Sequence, residues 1–244
     1  MPRLSIRRAA VVLLAAAAAG CVAAVAVPVR TPPPPDGADL VVLVHGMGRT
    51  RASMAPLARA LRQAGFRTLT VGYRSTRGAT IGSAGAEVAR AVRAETARQA
   101  APRVHMVGHS LGAIAIRWTL AHDPPANVGR VVLIAPPNQG SHAADRYAST
   151  LGRWQTPMRE LRTTARGGTV AAMPAPPDSV EVAILAGDAD GKVWVTETRL
   201  DGVRAHRVVR GTHTWLMRSR EVQRLTAAFL RTGKMDDTED DGAD

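Results

Sequence analysis

Apolar residues in this chain gather in short runs, and segments with helical spacing of apolar positions separate those runs. The runs are rich in Val, Leu and Ile, as is typical of strands that are buried on both faces of a sheet. The predicted strands are Asp39–His45, Phe66–Tyr73, Val104–Val107, Val131–Ala135, Val180–Leu185 and Val203–Val209. The predicted helices are Met54–Ala64, Ile81–Gln99, Ala113–His122 and Glu221–Leu230. This alternation predicts an α/β fold, with a mainly parallel central sheet and helices on both faces.

One segment, Pro136–Pro177, interrupts the alternation because it is too long for a simple crossover between two strands. Its apolar positions with helical spacing are Leu151, Trp154, Met158 and Leu161. It ends in a stretch rich in Gly, Pro and Ala, Gly167–Pro177. We expect a crossover helix followed by a loop near the mouth of the site. Two interpretations of this segment remain: it forms a small lid, or it is an ordinary surface segment.

The chain has 244 residues, which is long enough for one α/β domain. Its two ends differ in composition from the part between them. Residues 30–38 contain four consecutive prolines and are predicted to be an extended linker. The domain is expected over residues 39–233. Residues 234–244 are dense in Asp and Glu and are expected to be a disordered acidic tail.

Residues 1–29 are predicted to be a targeting or anchor segment. Arg3, Arg7 and Arg8 precede an uncharged run, Ala9–Val27. The only cysteine, Cys21, lies inside that run after a small-residue triplet, which resembles a bacterial lipoprotein signal with Ala in place of the usual Leu. Three interpretations remain for this segment: a lipoprotein signal, an uncleaved anchor and an ordinary signal peptide. Each of them predicts export, to a membrane-anchored, periplasmic or extracellular location.

The formal net charge of +12 comes almost entirely from arginine, since lysine occurs only at Lys192 and Lys234. The arginines are scattered, and no aromatic residues interleave with them as a nucleic-acid stacking platform would require. We therefore expect no nucleic-acid partner. A peripheral attraction to anionic membrane remains compatible with this charge.

The segment Gly108-His109-Ser110-Leu111-Gly112 carries the clearest sign of chemistry. It follows a predicted strand and opens a predicted helix, which is the context of a nucleophile elbow. The two glycines allow the strand and the helix to cross closely, and the turn between them holds the hydroxyl of Ser110 outward. A serine that merely caps the helix is the alternative reading.

A serine nucleophile needs a base and a group that orients the base. His213 lies in a loop between the last predicted strand and the last helix, where its imidazole can reach over the elbow. Two aspartates, Asp188 and Asp190, lie in the loop after the preceding strand. Asp188 directly follows Gly187, where a short polar side chain often closes a turn, so we favour Asp190 as the acid.

An oxyanion hole requires two backbone N–H groups that point at the developing charge. One is expected from Leu111, the residue after the nucleophile. The other is expected from Met47, which lies between two glycines after the first predicted strand. Gly46 and Gly48 let that backbone approach a substrate closely.

From about Asp39 to Leu230 the chain resembles the α/β-hydrolase superfamily, and within it the bacterial lipases and esterases. Three stretches carry the resemblance: His45-Gly46-Met47-Gly48, Ala135–Ser141, and the block that runs from Ala189–Val193 to His213. The last block resembles the small lidless lipases, which implies Asp190 as the acid and His213 as the base. The departures are Ala135-Pro136 in place of Thr-Pro and a longer middle segment.

The resemblance implies an α/β-hydrolase fold and hydrolysis of carboxylic esters through a Ser110-Asp190-His213 triad. We expect no metal and no organic cofactor, and a small ester or lipid as the substrate. An acyltransferase or thioesterase that uses the same triad is one alternative. A catalytically silent binding protein with this fold is another.

Overall fold

The apolar runs form one parallel sheet of six strands in the order β2-β1-β3-β4-β5-β6. The computed structural model describes residues 35, 37–76, 78–151 and 156–235. The strands are β1 (Leu40–Val44), β2 (Arg67–Val71), β3 (Val104–His109), β4 (Val128–Ile134), β5 (Val182–Gly187) and β6 (Ala205–Val209). Because every pairing is parallel, all six carboxyl ends lie along the same edge of the sheet.

Helices cover both faces of the sheet, which confirms the predicted α/β fold. They are α1 (Ala55–Gln63), α2 (Ile81–Arg98), α3 (Leu111–His122), α4 (His142–Leu151), α5 (Thr156–Glu160) and α6 (Arg220–Thr232). Alternate residues of β1 point to opposite faces, so Val42 packs with α2 and α3 while Leu43 packs with α1 and α6. The central strands are apolar on both sides for this reason.

Several element boundaries differ from the predicted ones. β3 continues to His109 and α3 begins at Leu111, so the turn at Ser110 is only one residue long. β5 runs from Val182 to Gly187, two residues later than the apolar run suggests, because Ala186 and Gly187 still pair with β6.

The segment Pro136–Pro177 contains two helices rather than the single crossover helix that was expected. The predicted helical stripe is divided between α4, which ends at Leu151, and α5, which begins at Thr156. A buried arginine on α3 fastens the later part of this segment. Arg117 donates to Oδ1 of Asn138 (3.1 Å) and to the carbonyl of Met173 (3.0 Å), and burial lowers its pKa to about 10.

Met235, two residues after the predicted boundary at residue 233, is buried in the cluster that contains α1 and α6. The predicted targeting segment, most of the linker, Trp154 and the remainder of the acidic tail lie outside the described residues. Among the described helices, none combines the length and the apolar character needed to cross a membrane.

Candidate active site

Three predicted site residues meet at the carboxyl edge of the sheet. Ser110 follows β3, Asp190 lies in the loop after β5, and His213 lies in the loop after β6. Nε2 of His213 is 3.0 Å from Oγ of Ser110, and Nδ1 of His213 is 2.6 Å from Oδ2 of Asp190. All three residues are buried. Residues separated by 103 and 23 positions along the chain thus form one continuous line of hydrogen bonds.

The backbone at Ser110 adopts a conformation that L-residues rarely occupy, with φ 54° and ψ −123°. Strand and helix cross so closely here that a Cβ added to Gly108 would lie 2.5 Å from the Cα of Ala113. A Cβ on Gly112 would lie 2.3 Å from the carbonyl oxygen of Val44. The two glycines are therefore required by packing, and the strained turn between them aims the hydroxyl of Ser110 at His213.

The carboxylate of Asp190 is held by three donors. Its Oδ1 accepts hydrogen bonds from the backbone N–H groups of Lys192 (2.8 Å) and Val193 (2.9 Å), which leaves Oδ2 for His213. Asp188 has a different partner: its Oδ1 accepts from the backbone N–H of Gly211 (2.9 Å). Asp188 therefore joins the two loops, while Asp190 contacts the imidazole.

His109, the residue before Ser110, supports the loop that carries His213. Its Nε2 donates to the backbone carbonyl of His213 at 2.9 Å, and the two rings lie 4.8 Å apart. Burial, followed by the nearby imidazole of His213, holds the pKa of His109 well below its usual value. The ring is therefore neutral, and its proton is on Nε2. Its other nitrogen, Nδ1, faces Gly46 and has no hydrogen-bond partner among the described residues.

The two backbone groups expected to form an oxyanion hole lie beside Ser110. Leu111 is the first residue of α3, so its N–H has no acceptor within the helix. Met47 lines the same cavity as Ser110. Within the described part of the chain, neither N–H has a hydrogen-bond acceptor. Two hydrogen bonds fix the loop that carries Met47, one on each side of that residue. The hydroxyl of Tyr73 donates to the carbonyl of His45 (2.6 Å), and the N–H of Gly48 donates to Oγ of Ser75 (3.1 Å).

A cavity of about 390 Å³ opens over Ser110. One wall is apolar and consists of residues from α4 and α5, together with the residue that follows α5: Ala143, Ala144, Tyr147, Met158 and Leu161. Two exposed cations, Arg49 and Lys192, lie at the rim of the cavity. Met158 and Leu161 were predicted only as part of a helical stripe, and no site role was predicted for Tyr147, Arg49 or Lys192. No cluster of three or more His, Cys, Asp or Glu suited to a metal occurs among the described residues.

Comparisons with known proteins agree with this architecture. The profile of the alpha/beta hydrolase family matches residues 41–240. RutD of Variovorax paradoxus (strain S110), provisionally named a carbamate hydrolase, is 37% identical over 100 residues. That match covers 39% of this chain and only 37% of the length of RutD.

Solved structures show the same fold at low sequence identity. The mature Bacillus licheniformis lipase BlEst2 has a TM-score of 0.69 at 17% identity, over 82% of this chain and 94% of the lipase. The Pyrococcus furiosus esterase Pf2001 has a TM-score of 0.58 at 17% identity, over 81% of this chain and 84% of the esterase. At these identities the likeness establishes the fold alone.

Proposed function

This chain belongs to the alpha/beta hydrolase family, and we propose that it is a serine hydrolase that cleaves carboxylic esters through Ser110, His213 and Asp190. The observation that carries the proposal is the line of two hydrogen bonds from Ser110 Oγ to His213 Nε2 (3.0 Å) and from His213 Nδ1 to Asp190 Oδ2 (2.6 Å). An ordinary helix cap would not need a strained residue with its hydroxyl aimed at an imidazole.

In the proposed acylation step, Nε2 of His213 removes the hydroxyl proton while Oγ of Ser110 attacks the ester carbonyl carbon. The Asp190 carboxylate accepts a hydrogen bond from the Nδ1–H of the imidazole, so it keeps Nε2 free as the base. It then stabilises the imidazolium that forms. The backbone donors to Oδ1 of Asp190 keep this carboxylate oriented throughout.

The developing negative charge on the carbonyl oxygen is assigned to the N–H groups of Met47 and Leu111. Neither has another acceptor among the described residues, so neither has to break a hydrogen bond to stabilise the oxyanion. The imidazolium of His213 next protonates the departing alkoxide. The carbon–oxygen bond breaks, and the acyl group remains on Ser110.

Deacylation repeats these steps with water as the nucleophile. His213 removes a proton from the water, the tetrahedral intermediate forms again, and the carboxylic acid leaves as Ser110 recovers its proton. The apolar wall of α4 and α5 is proposed to hold the acyl chain. The cavity of about 390 Å³ is at the small end of the range for ligand pockets, which favours short or medium chains.

A second candidate substrate class is a carbamate, which the similarity to RutD favours. A carbamate carbonyl would meet the same nucleophile, base and oxyanion donors. The amide nitrogen makes this carbonyl less electrophilic, so we expect slower acylation than for an ester with the same leaving group.

We also propose that residues 1–29 export the domain and attach it to a membrane. The proposal depends on the arginine cluster, the uncharged run and Cys21. Mass spectrometry of the mature N-terminus tests it: a diacylated or triacylated Cys21 is expected for the lipoprotein form. An intact Met1 on a protein in the soluble cytoplasm would contradict it.

The substrate proposal is tested with a series of p-nitrophenyl esters of increasing acyl length, together with a matched carbamate and a matched thioester. We expect the highest kcat/KM for short or medium acyl esters, and loss of that turnover in Ser110→Ala. A folded wild-type protein that hydrolyses none of these compounds would contradict the proposal. A preference for transfer to an added alcohol over hydrolysis would instead indicate an acyltransferase.

A further inference from the structure

At the rim of the cavity over Ser110, the charged side chains are all positive. Among the described residues that line it, two are cationic, Arg49 and Lys192, and none is Asp or Glu. The nearest carboxylate belonging to the site, that of Asp190, is buried and already accepts three hydrogen bonds. Because its hydrogen bonds go to His213 and to its own loop, the Asp190 carboxylate does not pair with a cation at the rim.

Arg49 lies directly after the loop that carries Met47. Its Nη2 donates to Oγ1 of Thr214 at 3.1 Å, and Thr214 follows His213. This contact holds the guanidinium beside the base, but a hydroxyl does not neutralise its charge. By comparison, two partly buried arginines of the domain are paired with acids, Arg67 with Glu95 and Arg130 with Glu181.

Lys192 approaches from a different loop. Its backbone is fastened twice, because its N–H donates to Oδ1 of Asp190 (2.8 Å) and its carbonyl accepts from Oγ of Ser141 (2.6 Å). Its side chain is exposed at the rim and forms no ion pair within the described residues. It is one of only two lysines in a chain whose cations are otherwise all arginine.

The positive charges of Arg49 and Lys192 also act on the buried centre of the site. Burial and the neighbouring His213 lower the pKa of His109 most, and the positive charges of Arg49 and Lys192 lower it further. A negative group on a bound substrate would meet the same field at closer range. The same cavity is also lined by apolar residues of α4 and α5, so it offers a substrate both cationic and apolar contacts.

From this arrangement we propose that the site selects esters that carry an anionic group, a carboxylate or a phosphate, which Arg49 and Lys192 hold at the mouth while the apolar part lies against α4 and α5. The inference rests on the proposed ester hydrolysis at Ser110 and narrows its substrate class. Both cations are exposed, so each is expected to favour the anionic substrate by about two- to fivefold, the range of exposed ion pairs.

The test compares esters with the same leaving group and chain. The anionic ester is mono-p-nitrophenyl adipate, and the neutral one is the same compound with its free carboxylate capped as a methyl ester. A third ester, which ends in a phosphate monoester, distinguishes carboxylate from phosphate recognition. The readout is the ratio of kcat/KM for anionic over neutral ester, because this ratio cancels any loss common to both.

The variants are Arg49→Gln, Lys192→Gln and the double variant, with Arg90→Gln on α2 as a matched control that removes one exposed charge elsewhere. We expect the ratio to fall about two- to fivefold in each single variant and about tenfold in the double variant. The control should keep the wild-type ratio. Added salt should lower the wild-type ratio and should have much less effect on the double variant.

Ratios within twofold of wild type in both single variants and in the double variant would overturn the inference while leaving ester hydrolysis intact. If neither ester is turned over, labelling of Ser110 with an anionic and a neutral fluorophosphonate gives the same ratio from inactivation rates. A folded protein whose Ser110 reacts with neither probe would overturn the proposed function itself, and this inference with it.

Discussion

Replacing Asp190 with asparagine should nearly abolish turnover without unfolding the protein, for a reason visible in the hydrogen bonds. Two backbone N–H groups point at Oδ1 of Asp190, so an asparagine is expected to place its amide oxygen there. Its NH₂ group then faces Nδ1 of His213, where a carboxylate oxygen now lies at 2.6 Å. The imidazole must accept that hydrogen bond, which moves its proton to Nε2, and Nε2 can no longer act as the base for Ser110.

The expected loss in kcat is about four orders of magnitude, the cost of the wrong tautomer in an acid-base-nucleophile line of this kind. The fold should survive, because the introduced asparagine keeps both backbone hydrogen bonds. Its hydrogen bond to His213 also remains and loses only the negative charge of the carboxylate. We expect a decrease of about 1–2 kcal/mol in the free energy of unfolding. The assay is single-turnover and steady-state hydrolysis of a p-nitrophenyl ester, with thermal unfolding measured on the same samples.

Asp188→Asn is the matched control, since it makes the same chemical change two residues away. Asp188 accepts from the Gly211 N–H, which an amide oxygen can satisfy equally well. Its kcat should stay within about threefold of wild type, because it does not touch the imidazole. A folded Asp190→Asn protein with kcat within tenfold of wild type would refute the tautomer argument. So would a loss confined to Asp188→Asn.

The buried groups give three further predictions. Ser110→Ala, His213→Ala and the double variant should all lose about four to six orders of magnitude in kcat, since the residues act as one unit; a double variant far slower than either single one would contradict this. Arg117→Ala should lower the free energy of unfolding by about 1–3 kcal/mol, because it leaves the buried Asn138 without its donor and removes hydrogen bonds to two partly exposed carbonyls, and chemical denaturation measures this loss. Burial depresses the pKa of His109 in the folded state, so below about pH 6.5 the unfolded chain binds a proton here that the folded chain does not; this group alone should lower stability there by up to about 1.4 kcal/mol per pH unit, and His109→Gln should reduce the measured slope by that contribution.

The sheet could be predicted from the sequence because its strands are buried on both faces. A strand such as β1, in which every residue is buried, has to be apolar at successive positions, and few other structures require this pattern. The boundaries were less predictable, since β3 and β5 end in residues that strand preferences disfavour. Backbone pairing with neighbouring strands, rather than side-chain preference, keeps His109 and Gly187 in the sheet.

The segment after β4 could not be predicted in the same way, because contacts distant in sequence determine its path. Arg117 lies in the apolar run of α3, where a charged side chain would be expected at the surface. The residue is instead only 2% exposed, and its guanidinium binds the segment's own carbonyls. Similarly, the buried Glu197 accepts from the N–H of His142 at the start of α4, and nothing in the local sequence around either residue indicates that contact.

Ser110, Asp190 and His213 were predicted as site residues from the motif around the serine, the order of the three along the chain and the loop positions of the other two, and the resemblance to the small lidless lipases implied the same acid and base. These signals are local or topological, and the parallel sheet converts them into proximity because its carboxyl ends share one edge. The rim cations were not identified, since an arginine or a lysine in a surface loop has no distinguishing pattern. Their importance depends on the absence of acids among the described residues around the cavity, which only the assembled site reveals.

The central claim is that Ser110 is a nucleophile activated by His213. It is tested most directly by treating the wild-type protein with a fluorophosphonate and locating the adduct by peptide mass spectrometry. We predict a single adduct on the peptide that contains Ser110, no adduct in Ser110→Ala, and labelling slowed by at least about a thousandfold in His213→Ala. A folded wild-type protein that remains unlabelled, or a label that persists unchanged in Ser110→Ala, would contradict the claim.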